Sequence, residues 1–193
     1  MARLRSSTPS LARILLLPFL LAACGSSEQY YRLRADGPVP LTTTGLAVGV
    51  GPVTLPGYVD RPELVFQSSN YELQVPAKVH WAGSLGENFS RSLAANLARR
   101  LHSGNVMAYP WPPGTRLSRQ VLVDVRQFHA VSGGEAVLEA SWRVEDATAH
   151  RVLHRQASRF TEPIIGDGYE PVVAAESRLV ARLADAIAAS MRR

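Results

Sequence analysis

The chain has 193 residues, 46% of them apolar and 19% charged, which is enough for one domain with a core of its own and is not the mixture of a disordered chain. Its formal charge of +5 includes Arg3, Arg5 and Arg13, which precede the only cysteine, so a product starting at Cys24 keeps +2. So small an excess, with no Lys/Arg block interleaved with aromatics, argues against a nucleic-acid surface, and a lone cysteine excludes both an intramolecular disulfide and thiolate-rich zinc sites.

The first three arginines form a basic start to an apolar run, Ile14 to Ala23, interrupted only by Pro18. Ten residues fall well short of the roughly 20 that a helix needs to cross a bilayer, and the small pair Ala22-Ala23 closes the run. That is an export leader over residues 1–23. Leu21-Ala22-Ala23-Cys24 then resembles the bacterial lipobox, where a diacylglyceryl group is attached to the cysteine sulfur and the chain is cut before it. The alternative is an ordinary cut after Ala23 that leaves a free thiol; the placement of Cys24 at the end of the apolar run favours the lipid. Residues 24–29, Cys-Gly-Ser-Ser-Glu-Gln, read as the lipidated N-terminus and a short polar tether. Gly25 stands where enterobacterial sorting places an Asp to retain a lipoprotein at the inner membrane, so the implied site is the outer membrane, facing the periplasm.

A single domain is expected over residues 30–193. Tyr30 to Leu33 reads as a first short strand and Asp36 to Gly45 as a linker; Leu46 to Val50 is a second strand, stopped by Gly51-Pro52. Leu64 to Gln67, Tyr71 to Val75 and Lys78 to Trp81 are further short candidates. Ser84 and Glu87 have the spacing of a capping box, and Leu85, Phe89, Leu93, Leu97 and Leu101 then recur every four residues, predicting a helix that ends with Arg99, Arg100, His102 and Gly104. Val121, Val123 and Val125 alternate with Leu122, Asp124 and Arg126, and after the reversal Ser132 to Glu135 the residues Ala136, Leu138, Ala140, Trp142 and Val144 form a matching inner face on a second strand. Arg151 to Thr161 has few apolar residues on either parity and belongs nearer a sheet edge. Pro171 fits the first turn of a last helix, whose stripe is Val172, Glu176, Leu179, Leu183 and Ile187; Glu176 alone is discordant. The fold class is α+β, a two-layer sandwich of a mixed, mainly antiparallel sheet with two amphipathic helices on one face.

No catalytic constellation emerges. Gly49-Val50-Gly51 is followed by Pro52 and lacks the third glycine of a dinucleotide loop, and there is no G-x-S-x-G, H-E-x-x-H or P-loop. His150 and His154 have helical spacing in a turn and strand region, where that spacing does not converge on a metal. No cofactor or metal is expected. Two proline-stiffened loops are the candidate partner-binding elements: Pro56 to Pro62, with Tyr58, Asp60 and Arg61, and Tyr109 to Gly114, with Tyr109 and Trp111. Such loops lose little entropy on docking, and aromatic residues anchor interfaces; the alternatives are turn chemistry for Asp60-Arg61 and an aromatic lid for Tyr109 and Trp111.

The ordered series of the lipobox, "YYRL", "VGVGPVTLPGYVDRPELV", "WAGSLGENFSRSLAANLARRL", "YPWP", "VLVDVRQFHAVSGGEAVLEASWRV" and "EP" before the last helix resembles the PqiC-like family of ABC-transport auxiliary lipoproteins over nearly the whole mature chain. The turn at Asp146 to Ala149 departs from it in lacking a glycine. The resemblance implies a fold similar to the N-terminal domain of TolB. It also implies a non-enzymatic outer-membrane lipoprotein that docks an MCE-domain protein, with its ABC transporter or integral inner-membrane subunit, in phospholipid traffic and envelope integrity. Assembly of the lipoprotein into a ring matching its partner's symmetry is compatible with that role. Two other readings stay open at this stage: an assembly lipoprotein of another envelope machine, TolB-like or cell-wall-linked, and a carrier holding one lipid in its own core.

Overall fold

The computed structural model describes residues 27–43, 45–131 and 134–192. The leader, Cys24 and the tether residues Gly25 and Ser26 lie outside these, as do Ser132 and Gly133 of the expected reversal. In chain order the elements are β1 (Gln29–Tyr31), β2 (Val48–Thr54), β3 (Phe66–Gln67), β4 (Leu73–Gln74), β5 (Val79–Trp81), α1 (Leu85–Arg100), β6 (Val106–Ala108), β7 (Arg119–Val131), β8 (Glu135–Asp146), β9 (Arg151–Pro163) and α2 (Tyr169–Met191).

The long β7–β8 hairpin is the frame. Val121, Val123 and Val125 sit opposite Val144, Trp142 and Ala140, and all six are buried. Strict alternation would next turn Gln127 and His129 into the core. A bulge between Val125 and Gln127 instead resets the parity, so Phe128 and Ala130 face inward opposite Leu138 and Ala136, while His129 goes to the other face. On one edge of β7 lie β2, in parallel at Val48 to Thr54, and farther along β3, in parallel at Ala130; β8 occupies the other edge, followed by β9. β6 extends the sheet beyond β2 in parallel, and β1 pairs with β5 in a separate two-stranded ribbon. The two long ladders, β7–β8 and β8–β9, are antiparallel, so the sheet is mixed but mainly antiparallel.

Both helices cover the face that carries Val123 and Phe128. α1 packs on β2 and β6, α2 on β8 and β9, and each helix on the other. The four-residue stripe of α1 is the reason: Leu85, Phe89, Leu93 and Leu97 are almost wholly excluded from water, and Phe89 meets Phe128 edge to face at 5.2 Å between ring centres. Such a contact adds about 1 kcal/mol to the burial of the two rings. Ser84 caps α1, its Oγ accepting from the Glu87 amide at 3.5 Å, while the Glu87 carboxylate pairs with Arg91 one turn on, at 2.9 Å. The helix ends before Gly104: His102 takes the left-handed backbone (φ 52°), and the Ser103 amide returns to Ala98 O. Gly104 serves a different purpose, since a Cβ there would stand 2.6 Å from Pro40 O and 3.0 Å from Thr42 O of the crossing chain.

One expectation is corrected, and the structure supplies two features that sequence reading did not. β2 does not stop at Gly51-Pro52 but runs to Thr54, because the register shifts between Val50 and Val53 and takes the proline, which has no amide to offer, out of the ladder. β6 was not expected; three residues between Asn105 and Pro110 carry too little pattern to announce a strand. The glycine missing from the Asp146 turn is replaced by His150 at φ 51°, with the Asp146 carboxylate accepting from the Thr148 and Ala149 amides at 3.0 Å each. Those amides hold the Asp146 carboxyl below the usual carboxylate range.

β9 lies at the sheet edge, as its composition implies, with β8 as its one partner strand. Two arginines of α2 blunt its last residues: Arg182 donates to Thr161 O at 2.8 Å, Arg178 donates to Pro163 O at 2.7 Å, and both pair with Glu162. Carbonyls engaged in this way are closed to a further strand.

The N-terminal chain crosses the outer side of the helices. Ser92 Oγ donates to Arg34 O at 3.2 Å, the Arg34 amide donates to Ser177 Oγ at 3.2 Å, and the Asp36 amide donates to Oδ1 of the buried Asn96 at 3.1 Å. Residues 34–36 are thereby strapped to both α1 and α2.

Candidate functional site

With both helices on one face, the polar parity of β7, β8 and β9 is left on the other. Leu122, Asp124, Ser141, Arg143, Arg155 and Ala157 line a groove there of about 720 Å³, closed at the side by Pro52 and Thr54 of β2 and reached by Arg126 from the bulge. Arg143 and Arg155 stand directly opposite each other in the ladder, a like-charge pairing that costs stability unless something compensates it. Arg143 is paired with Glu145 at 2.5 Å and Arg126 with Glu139 at 3.5 Å. The groove is therefore cationic at its floor with carboxylates at hand, an arrangement suited to exchanging internal ion pairs for those of a docked chain.

The two candidate loops lie at opposite ends of this groove and do not meet. Trp111 rests over β2: a Cβ on Gly49 would come within 2.9 Å of its ring and 2.5 Å of Leu117, and one on Gly51 within 2.6 Å of Tyr109 Cβ. Glycine at 49 and 51 is what lets this loop lie flat on the sheet. Trp111 is half-buried, and Tyr109, 50% exposed, packs edge-on against it at 5.1 Å. Trp111 thus lies as a cover over β2, with Tyr109 its exposed rim. Gly49→Val is expected to lift Trp111 off the strand, costing about 1–3 kcal/mol and shifting its fluorescence to the red; urea denaturation and emission spectra would measure both.

At the other end Tyr58 is half-buried and edge-on to His129 at 5.5 Å between ring centres. Its hydroxyl lies 3.1 Å from His129 Nδ1, while Nε2 lies 3.2 Å from Gln67 Oε1 and 3.3 Å from Gln127 Nε2. With its proton on Nε2, the imidazole donates to Gln67 and accepts from Tyr58. Burial holds the imidazole below and the phenol above their ordinary pKa, so both are neutral at pH 7 and the contact fastens the loop to β7. Asp60 and Arg61 are exposed; the Asp60 amide closes a turn onto Pro56 O, and Arg61 pairs with Glu63 at 2.8 Å. The arginines of the groove were missed by sequence reading. The alternation of β7 put Arg126 on the polar face, but nothing short of the strand order brings Arg143 and Arg155 beside it.

Among the described residues no three His, Cys, Asp or Glu side chains are grouped to hold a metal ion. No helix among them is long and apolar enough to cross a membrane.

The model of a family described as the ABC-type transport auxiliary lipoprotein component matches residues 31–188. No curated protein matches the sequence. Among solved structures, an uncharacterized protein is similar with a TM-score of 0.70 at 21% identity, covering 86% of this chain and 99% of its own. A protein from Xanthomonas campestris is similar with a TM-score of 0.65 at 18% identity, covering 85% and 97%. At such identities these two likenesses speak for the fold, and the family match, running from the end of β1 to within the last turn of α2, speaks for descent. The chain belongs to the PqiC-like family of ABC-type transport auxiliary lipoproteins.

Proposed function

We propose that this lipoprotein is a non-enzymatic docking and assembly subunit of an MCE-type phospholipid transport system, anchored through Cys24 in the outer membrane and facing the periplasm. The observation that carries the reading is the family match over 31–188, which takes in nearly all of the folded domain and begins seven residues after the lipobox cysteine, Cys24. The acyl anchor fixes one end. The open sheet face, with the Arg126, Arg143 and Arg155 groove between Tyr58 and Trp111, receives the MCE-domain protein or the subunit that accompanies it. Of the residues a core lipid carrier would use, Leu93 and Leu97 are fully buried and do not line the arginine groove, while Val123, also buried, lies at its edge.

Affinity purification from detergent-solubilised envelope tests this. The expected result is co-purification of an MCE-domain protein with its transporter subunits, reduced at least several-fold by combined Arg143→Glu and Arg155→Glu. Recovery of the folded lipoprotein without any MCE or transporter protein, under conditions that keep other envelope complexes together, would overturn it.

A further inference from the structure

We infer that the end of the domain formed by the β3–β4 turn and the β9–α2 loop rests on the bilayer, with Tyr71 and Ile165 in contact with zwitterionic phospholipid. The inference rests on the reading that Cys24 carries the lipid, and adds to it which face the membrane meets.

β3 runs parallel to β7 and pairs with it at Ala130, so the turn after Gln67 projects beyond the last residues of β7. Tyr71, at its tip, is wholly exposed, and Leu73 and Val75 on the return are 42% and 37% exposed. The chain leaving β9 emerges at the same end, since the Ile164 amide donates to Gly134 O of the β7–β8 turn, and the next residue, Ile165, is 80% exposed. Tyr71 and Ile165 thus keep most of their large side chains in water, and Leu73 and Val75 keep over a third of theirs.

The tether selects this end. The Gln29 amide donates to Lys78 O at 2.8 Å, placing the start of β1 beside the strand that follows Val75, and Tyr30, 62% exposed, stacks on His80. Five residues of chain from Cys24 to Gln29 reach at most about 17 Å, whereas β7 alone is about 40 Å long. A second set of exposed apolar residues, Leu41, Leu46 and Val152, lies toward the opposite end and is out of reach of the anchor. The exposed charges near the turn and loop are the carboxylates of Glu72, Glu135 and Asp167 against the single lysine Lys78, a negative balance that an anionic surface would repel, which is why the occupant is zwitterionic lipid.

Once Cys24 is acylated the chain has no other thiol, so an introduced cysteine can be spin-labelled alone. The lipidated protein carrying Tyr71→Cys, Ile165→Cys or, in the β8–β9 turn at the opposite end, Thr148→Cys is reconstituted into phosphatidylcholine–phosphatidylethanolamine vesicles. Collisions of the label with oxygen and with a water-soluble nickel complex are then compared. The oxygen-to-nickel ratio is expected to be at least threefold higher at 71 and 165 than at 148. Equal, water-like ratios at all three sites on vesicle-bound protein overturn the inference while leaving the anchor intact. Low access to both reagents at 71 and 165 also overturns it, since a second protein then covers the patch. Protein that fails to float with the vesicles removes the anchor and this inference with it.

Discussion

Replacing Cys24 with serine behind an ordinary cleavable export leader is expected to move essentially all of the protein from the membrane fraction to the periplasmic extract. Each buried methylene contributes roughly 0.8 kcal/mol, so two or three long acyl chains hold the protein by on the order of tens of kcal/mol, and nothing on the surface of a domain this size replaces that. The domain itself should be untouched, because its first strand, β1, starts at Gln29, five residues after Cys24. Affinity for the partner, measured in solution, should therefore persist. Rescue of envelope function should not, because on the docking proposal the anchor supplies the local concentration for partner binding. Fractionation, pull-down and growth in detergent, read on the same variant, separate the three. A serine variant that stays in the membrane fraction would contradict the lipid reading.

The second large effect is expected inside the core. Glu176 is 1% exposed on the buried side of α2, one of its carboxylate oxygens has no hydrogen-bond partner among the described residues, and burial pushes its pKa up from 4.5 to about 8. The acid is thus neutral in the folded protein at neutral pH and ionised in the unfolded chain. Between those values the folded state binds the extra proton, so stability is fully present below about pH 4.5 and is lost as pH rises through about 8. At about 1.4 kcal/mol per pH unit the whole window amounts to roughly 5 kcal/mol, a large share of the 5–15 kcal/mol by which domains are stable. Glu176→Gln should flatten this dependence, and Glu176→Leu should also raise stability throughout, by filling the site without a polar group to desolvate. Urea midpoints at pH 5, 7 and 9 measure it. An unchanged pH slope in the glutamine variant would assign the dependence to other groups.

Much of this architecture can be read from residue order, and particular elements show why. Helix α1 was legible because cap, stripe and basic end agree, and β8 because five inward residues keep one parity from Ala136 to Val144. Glu176 stood out as the discordant member of its stripe, and it is buried. Two of the failures share one cause, which is that an extra or missing residue changes parity without changing composition. Nothing in Val125-Arg126-Gln127 announces the bulge that sends Phe128 inward, and Gly51-Pro52 looks the same whether it ends a strand or shifts its register. For the candidate site, the aromatic loops could be found because proline and glycine mark them, yet their attachments, Trp111 to Gly49 and Tyr58 to His129, join residues about 60 and 70 positions apart. The arginine groove is a product of strand order alone.

The strap of residues 34–36 over both helices decides how the molecule bears load. A protein held by its N-terminus at one membrane while grasped elsewhere by a complex is under tension. The pull enters at β1, where the ladder to β5 takes it first, and beyond that it meets the strap's bonds to Ser92, Asn96 and Ser177 before it reaches the main sheet. Several contacts on two helices share that force, as stitches share it along a seam, so the open sheet face, the proposed docking surface, is shielded from movement of the anchor.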